Sequence, residues 1–375
     1  MNTKERSSNF ELLRIVCMLM IVMFHAAFKG KFGESSGIAD SLIIKSFWFL
    51  GELGVNVFVM ISGYFMINSR FKPKKFALIL CEVWFYNLVS VFILLFFKKY
   101  TVSELTFKLF PLTDNVYWFI TCYLIIYALS PFLNRFIKQA GQKKLFELIC
   151  VLLIINSVIP TVMGFFFESS ESFDFYNRLI WLLIIYIFGA YIRLYGFNLL
   201  ESLKGSAMLF VISYAVMLVS MIFFVFVDRF LGLGIEPAYF WTLNSILMFT
   251  ASVGLFGIGK NIRIPNNKAI NRVASTTLGI YLIHDGFLTE ILWPTIRNLQ
   301  FIKDAQFSFI YLIAVSLIIF VVCIAVDLLR QQIEKYTAAK IINSEAVLKI
   351  YLKMREKFIR FESKMINDNG DEAVS

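Results

Sequence analysis

Long apolar blocks separated by short polar segments make up most of this 375-residue chain. Each block runs for roughly 17–23 residues, close to the length that an α-helix needs to cross a bilayer. A closed β-barrel would show short alternating segments instead, so we predict an all-α, polytopic integral membrane bundle. Ten spans are predicted, at about residues 10–28, 46–68, 76–97, 116–136, 145–167, 179–195, 206–227, 239–258, 273–292 and 307–329.

Basic residues are concentrated in alternate connecting segments. Few acids accompany the Lys and Arg of segments 1–9, 69–75, 135–144, 196–204 and 259–272, whereas acids balance them in the others. Because cytoplasmic loops carry the excess of Lys and Arg, we expect both termini in the cytoplasm of a multi-pass protein of the bacterial cytoplasmic membrane. We expect a membrane domain over residues 1–330 and a cytoplasmic tail over 331–375, amphipathic at first and disordered at its end.

Composition narrows the class of protein further. A hydrophobic content of 59% and a mean hydropathy of +0.73 exclude a disordered chain and disfavour an ordinary soluble domain. The net charge of +10 is explained by the loops and the tail, and there is no nucleic-acid motif. The five cysteines lie in apolar blocks without a CxxC pair, which indicates neither a disulfide framework nor a zinc site.

Several catalytic signatures are missing from the sequence. It contains no Walker A, GxSxG or HExxH motif, which argues against an ATPase, a serine hydrolase and a zinc protease. No cluster of acids fit to hold a metal lies within the predicted spans, so we expect no metal.

The first block contains ionisable residues at membrane depth, namely Glu11, Arg14 and His25. Such a group costs roughly 2.5–3.5 kcal/mol on insertion scales, so its presence needs an explanation. Arg14 and His25 are eleven residues apart, which places them on one helix face about 16 Å apart along the axis. Arg14 is either an anchor that snorkels to the interface, with Glu11 as its partner, or a contact for an anionic ligand.

The chain has only two histidines, His25 and His284, and both lie within predicted spans. If the first and ninth spans are neighbours, the two side chains can meet. A buried histidine can be a hydrogen-bonded structural residue. It is also the side chain best suited to proton transfer near neutral pH, and a positioned base typically contributes about 10²–10⁴ in rate.

The second block, GELGVNVFVMISGYFM, combines small and polar residues. Gly51, Gly54 and Gly63 allow close helix approach, and Asn56 and Ser62 add polar atoms within the membrane. We treat Asn56 and Ser62, with Glu11, as supporting residues of a site.

A basic loop, SRFKPKK, follows this block. Its charged residues are Arg70, Lys72, Lys74 and Lys75. Such a loop can act as a topology signal, contact lipid headgroups or bind a phosphorylated cytosolic donor.

The combination of these motifs resembles the acyltransferase-3 family of integral membrane proteins. Arg14 and His25 match its R-x10-H pattern, and GVNVFVMISGYF, WFITCYLIIYALSPFLN and GIYLIH resemble three further segments in the right order. The likeness covers about residues 8–330. It implies transfer of an acyl group, most often acetyl, from a cytosolic acyl-CoA to a sugar or other acceptor of the cell envelope.

The resemblance carries over residue by residue. His25 and Arg14 stand at the positions of the family's essential histidine and arginine. Asn56 stands where many members have Asp, so no carboxylate role is carried over to it. Some members have a fused extracytoplasmic SGNH hydrolase-like domain, and we expect any such activity either to reside on a separate protein or to be unnecessary.

We therefore predict an O-acetyltransferase that moves acetyl from acetyl-CoA to a hydroxyl of a cell-envelope glycan or lipid-linked saccharide. His25 is the predicted base, or it promotes passage of the acyl group across the membrane. Arg14 and the basic loop contact the donor, and His284 assists catalysis or binds the acceptor. The expected partners are membrane lipid, acyl-CoA, the glycan acceptor and other envelope-polysaccharide proteins. Two alternatives stay open: a transporter or flippase of lipid-linked saccharides, and a glycan polymerase, which would need a larger outer loop.

Overall fold

The structure, a computed structural model, describes residues 7–32, 37–112, 115–166, 177–232, 236–299 and 307–336, and the single residues 349, 353, 356, 357 and 360. These residues are mostly helical and include no strand, which confirms the all-α class. Most of the predicted amphipathic tail, and the N-terminal basic residues Lys4 and Arg6, lie outside the described residues.

The helices are numbered here in chain order. They are α1 (Ser8–Gly30), α2 (Ile38–Ser46), α3 (Trp48–Met66), α4 (Pro73–Phe97), α5 (Val102–Lys108), α6 (Trp118–Ala140), α7 (Gln142–Leu153), α8 (Ile159–Phe166), α9 (Arg178–Tyr195), α10 (Leu203–Leu231), α11 (Ile246–Asn261), α12 (Lys268–Ala274), α13 (Thr277–His284), α14 (Thr289–Arg297) and α15 (Ser308–Tyr336). A single π-helical turn, Ile154–Val158, joins α7 to α8 into one longer helix.

Eight helical stretches within the described ranges are long and apolar enough to cross a membrane. The predicted eighth span corresponds to the shorter α11, which has 16 residues. The predicted ninth span is divided, because α13 ends at His284 and the chain turns at Asp285 before α14 begins. The total of ten crossings and the cytoplasmic side of the termini stay predictions.

Helix α1 packs against several other helices of the bundle, including α3, α11, α12, α13 and α15. Cys17 and Val22 of α1 are fully buried. A Cβ atom at Gly54 of α3 would lie 2.8 Å from the Cys17 carbonyl oxygen, so only glycine permits this approach. The side chains of α1 are therefore held against the interior of the bundle.

Two glycines form a second close crossing, between α3 and α9. A Cβ atom at Gly63 would lie 2.1 Å from the Tyr186 carbonyl oxygen, and one at Gly189 would lie 2.3 Å from that of Met60. Small residues let membrane helices approach until their backbones touch. Gly63 is one of the three glycines that the sequence predicted to permit close packing. Its contact lets α3 and α9 pack backbone against backbone.

An ionic cluster joins α4 to α15. The Arg330 guanidinium contacts Asp327 at 2.7 Å, Glu82 at 3.1 Å and also Glu334, and Tyr86 donates a hydrogen bond to Asp327 at 2.7 Å. A buried charge is tolerated when it is paired and hydrogen-bonded, as it is here. This cluster therefore holds α4 and α15 together.

The outward faces of α4, α10 and α15 expose large apolar side chains. Phe96 is 74% exposed, Val219 is 65% exposed and Ile318 is 64% exposed. A soluble protein rarely exposes apolar surface of this extent, whereas lipid tails accept it. These helices therefore present their apolar faces to the bilayer.

Candidate active site

A cavity of about 320 Å³ opens between α1, α3, α6 and α9. Its lining is mostly apolar, with a few polar groups that converge on the same space, as is typical of binding sites for small molecules. The lining residues with an imidazole or a charged side chain are His25, Lys29, Glu52, Arg178 and Asp285. The cavity lies beside the second half of α1 and the first half of α3. We call the end of the bundle formed by these two half-helices the His25 end.

The two histidines of the chain meet in this region. His25 Nδ1 lies 2.9 Å from His284 Nε2, within hydrogen-bonding distance, and both residues are buried. The structure therefore makes neighbours of α1 and α13, the condition under which the sequence predicted this contact.

The hydrogen-bond partners fix the tautomers of the neutral pair. His284 Nδ1 lies 2.6 Å from the carbonyl oxygen of Ile280, which only accepts, so Nδ1 carries the hydrogen. Neutral His284 then offers a bare Nε2, to which His25 Nδ1–H donates. The remaining nitrogen of neutral His25, Nε2, therefore has a free lone pair.

This free nitrogen faces a carboxylate. His25 Nε2 lies 3.5 Å from Asp285 Oδ1, and the same oxygen accepts a hydrogen bond from the Lys29 ammonium. Asp285 thus already has a cationic partner, so His25 is not needed to neutralise it. Once protonated, His25 would present a cation to this carboxylate, an arrangement that stabilises an imidazolium.

Helical spacing explains why one helix supplies so much of the site. His25 and Lys29 are one turn apart on α1, and Met18 and Ile21 line the cavity on the same face. Helix α13 ends at His284, so the following residue, Asp285, turns back toward α1. Both elements are therefore needed to assemble the site.

Aromatic side chains surround the cavity at the His25 end. The Phe28 ring lies 5.1 Å from Trp48 and 5.8 Å from Trp241, and the Phe24 ring lies 6.2 Å from Trp241. These separations are within the usual range for interacting aromatic rings. They produce a rigid apolar wall next to His25.

Arg14 lies on the cavity face of α1 but one turn before Met18, the first α1 residue of the lining. Its guanidinium forms a 3.0 Å ion pair with Glu11 and is 29% exposed. The predicted pairing with Glu11 is therefore present. Arg14 and His25 do not touch, and about 16 Å of helix separates them.

The basic loop lies at the end of α3 opposite Glu52 and away from the histidines. Arg70, Lys72, Lys74 and Lys75 are exposed. The loop packs on α6, since the backbone N–H of Lys72 donates to the Tyr127 hydroxyl at 3.2 Å and the Lys75 ammonium lies 5.4 Å from the Tyr127 ring. The structure does not bring these residues to the cavity.

The two predicted supporting residues of α3 have structural partners. Asn56 is fully buried, donates to the Leu243 carbonyl at 2.9 Å and accepts a hydrogen bond from the Trp181 indole at 2.9 Å. The Ser62 hydroxyl donates to the Phe58 carbonyl of its own helix at 3.0 Å. Neither residue lines the cavity, so their contacts hold α3 in place.

Four charged cavity residues were absent from the predicted site: Lys29, Glu52, Arg178 and Asp285. Lys29 could have been predicted from the sequence, because it lies one helical turn from His25. Glu52 could also have been predicted, because an acid inside an apolar block costs free energy and is rarely without a role. Asp285 follows His284 directly, whereas nothing local connects Arg178 with the histidines.

The described residues include no group of three or more His, Cys, Asp or Glu side chains placed to hold a metal ion. His25 Nδ1 and His284 Nε2 are joined to each other by a hydrogen bond.

Fold and site together describe a helical membrane protein with a buried, histidine-containing cavity. A family model described as an acyltransferase domain matches residues 7–328, most of the chain. The protein therefore belongs to the acyltransferase-3 family and is a membrane acyltransferase. No curated protein and no solved structure matches the chain.

Proposed function

We propose that this protein transfers an acetyl group from cytosolic acetyl-CoA to a hydroxyl of a cell-envelope glycan or lipid-linked saccharide. The observation that carries the proposal is the hydrogen bond between His25 and His284 at a cavity large enough for a substrate group. It leaves His25 Nε2 as a base directed away from its partner. Membership of an acyltransferase family supplies the reaction class.

In the proposed reaction, His25 Nε2 accepts the proton of the acceptor hydroxyl while the hydroxyl oxygen attacks the thioester carbonyl carbon. A carbon–oxygen bond forms and the carbon–sulfur bond breaks. The proton then passes from His25 to the departing CoA thiolate, which leaves as the thiol. Asp285 stabilises the imidazolium between these two steps, and Lys29 holds Asp285 in place.

His284 acts as a positioning residue in this scheme. Its bond to His25 Nδ1 selects the tautomer with a bare Nε2, much as a buried hydrogen-bond partner orients a catalytic histidine in hydrolases. His284 is itself fixed by the Ile280 carbonyl, so the whole chain of hydrogen bonds is anchored to the backbone of α13.

Arg14 and the basic loop are proposed to contact the donor from the cytoplasm. A guanidinium suits phosphate groups, and the long pantetheine arm of acetyl-CoA can follow the face of α1 from Arg14 toward His25. In this arrangement both termini are cytoplasmic and the His25 end faces outward, where an envelope acceptor would enter. The four basic residues of the loop then meet the adenosine phosphates.

The proposal is tested by comparing envelope glycan from cells with and without the gene for this protein. Mild alkali releases O-acetyl groups as acetate, which can be quantified against total sugar. We expect a glycan fraction to lose alkali-labile acetate when the gene is absent and to regain it on complementation. An unchanged acetate content in every glycan and glycolipid fraction would contradict the proposed acceptor class.

A further inference from the structure

Glu52 is a cavity residue that the reaction scheme leaves unused. It lines the same cavity as His25, from the neighbouring helix α3. Among the hydrogen bonds and ion pairs of the described residues, none involves the Glu52 carboxyl group. By contrast, Lys29 and Asp285 are paired with each other, and the Arg178 guanidinium lies 4.7 Å from the centre of the Trp118 ring.

The lack of a hydrogen bond is costly at this position. A carboxyl group in an apolar site is destabilising unless hydrogen bonds satisfy it. Arg178 lines the same cavity, yet no nitrogen of Arg178 lies within the 4.0 Å of a Glu52 oxygen that defines an ion pair. The Glu52 carboxyl group and the Arg178 guanidinium therefore line one cavity without an ion pair between them.

The chemistry of this space favours a polyhydroxylated ring. A carboxyl oxygen accepts a hydrogen bond from a hydroxyl, and a guanidinium donates to an adjacent one. Aromatic side chains, among them Phe24, Phe28, Trp118 and Trp241, supply flat apolar surfaces that suit the C–H face of a sugar. A simple alcohol has a single hydroxyl, so once that hydroxyl is at His25 none is left to donate to Glu52.

We propose that Glu52 determines acceptor specificity by accepting a hydrogen bond from a sugar hydroxyl next to the one that is acetylated, with Arg178 bound to the same ring. This inference rests on the proposed function and deepens it, since it assigns acceptor binding to named residues. Glu52 and His25 lie on packed helices and face one cavity. Holding one hydroxyl at Glu52 thereby presents its neighbour to His25 Nε2.

The test uses full-length protein in lipid nanodiscs. The acceptor probe is envelope glycan extracted from cells that lack the gene and treated with mild alkali to remove O-acetyl groups. Release of CoA thiol from acetyl-CoA is followed while either the glycan or acetyl-CoA is varied. Glu52→Gln keeps the size of the side chain and one acceptor oxygen but removes the negative charge, and Glu147→Gln, at an exposed position of α7, is the matched control.

We expect Glu52→Gln to raise the half-saturating glycan concentration roughly three- to tenfold, because an amide oxygen accepts a weaker hydrogen bond than a carboxylate, while that of acetyl-CoA stays within about twofold. Glu147→Gln should change neither value. Arg178→Gln, at an exposed position, should also raise the half-saturating glycan concentration. It tests the same site if the Glu52→Gln protein does not accumulate.

Two outcomes would overturn the role of Glu52. One is an unchanged half-saturating glycan concentration in Glu52→Gln, and the other is an equal rise in that of acetyl-CoA. Either result leaves acetyl transfer by the wild-type protein intact. If the wild-type protein releases no thiol in response to any glycan fraction, the proposed function itself fails, and the role of Glu52 fails with it.

Discussion

His25 Nδ1 and His284 Nε2 lie 2.9 Å apart although 259 residues separate them in the chain. The contact joins α1 to α13 and leaves the other nitrogen of His25 facing Asp285 at 3.5 Å. The carbonyl of Ile280 sets the direction of the whole hydrogen-bond chain. The pair is thus a polarised unit rather than two independent bases, and its two members should respond differently to substitution.

Replacing His284 tests this polarity. A glutamine at this position can offer its side-chain oxygen to His25 Nδ1–H, whereas alanine leaves that hydrogen without an acceptor. We expect His284→Ala to lower the rate of acetyl transfer roughly 10²-fold, the lower range for loss of a positioned base, and His284→Gln to retain more activity than His284→Ala. Steady-state rates at saturating acetyl-CoA and acceptor provide the measurement.

Equal loss in His284→Gln and His284→Ala, with normal accumulation of both variants, would contradict the positioning role. A catalytic role that needs the imidazole of His284 itself would produce that result.

Much of this site was visible in the sequence because its residues are expensive in a membrane. Two histidines and Arg14 in apolar blocks indicated a function, and helical periodicity placed Arg14 and His25 on one face. Whether α1 and α13 are neighbours could not be read from either segment, since it depends on how the intervening helices pack. The meeting of the histidines was therefore conditional until the structure showed it.

Other parts of the site escaped prediction for a physical reason. Glu52 was not predicted, because its neighbours Gly51 and Gly54 indicate helix packing and Asn56 is the polar residue at the centre of the same block. The structure shows Asn56 saturated by Leu243 and Trp181, while Glu52 lines the cavity. Hydrogen-bond saturation is a property of the packed bundle, so residue type alone cannot distinguish the two.

Arg14→Ala tests the donor side of the site. If the guanidinium contacts a phosphate or the pantetheine arm, its removal should raise the half-saturating concentration of acetyl-CoA about tenfold, as for the loss of a charged hydrogen bond. The half-saturating concentration of the acceptor should change much less. Arg135→Ala, at an exposed position of α6, serves as the matched control. A half-saturating concentration of acetyl-CoA equal to that of the wild-type protein would contradict a role for Arg14 in donor binding.

Binding of acetyl-CoA alone separates an acyltransferase from a transporter of lipid-linked saccharides. A ligand at 100 times its dissociation constant stabilises the folded state by about 2.7 kcal/mol, so acetyl-CoA should raise the melting temperature of the purified protein. ATP, a nucleotide of comparable charge, is the control and should give a smaller shift. If acetyl-CoA gives no shift above that of ATP, the transport alternative gains support.

Gly63→Ala tests the crossing of α3 and α9. The added methyl group would lie 2.1 Å from the Tyr186 carbonyl oxygen, so the helices must separate. We expect a loss of roughly 1–3 kcal/mol in stability, typical of an overpacked core, and a lower melting temperature. Gly37→Ala is the matched control, because a Cβ atom there meets nothing within 4 Å. A Gly63→Ala protein as stable as the control would show that the helices are not in backbone contact.

The central claim is that His25 is the base for acetyl transfer. Its most direct test is transfer of radiolabelled acetyl from acetyl-CoA to de-O-acetylated envelope glycan by purified wild-type and His25→Ala proteins. The two proteins are first matched for accumulation and for stabilisation by acetyl-CoA. We predict alkali-labile label in the glycan with the wild-type protein and at least a roughly 10²-fold lower rate with His25→Ala. Transfer at the wild-type rate by His25→Ala would contradict the account.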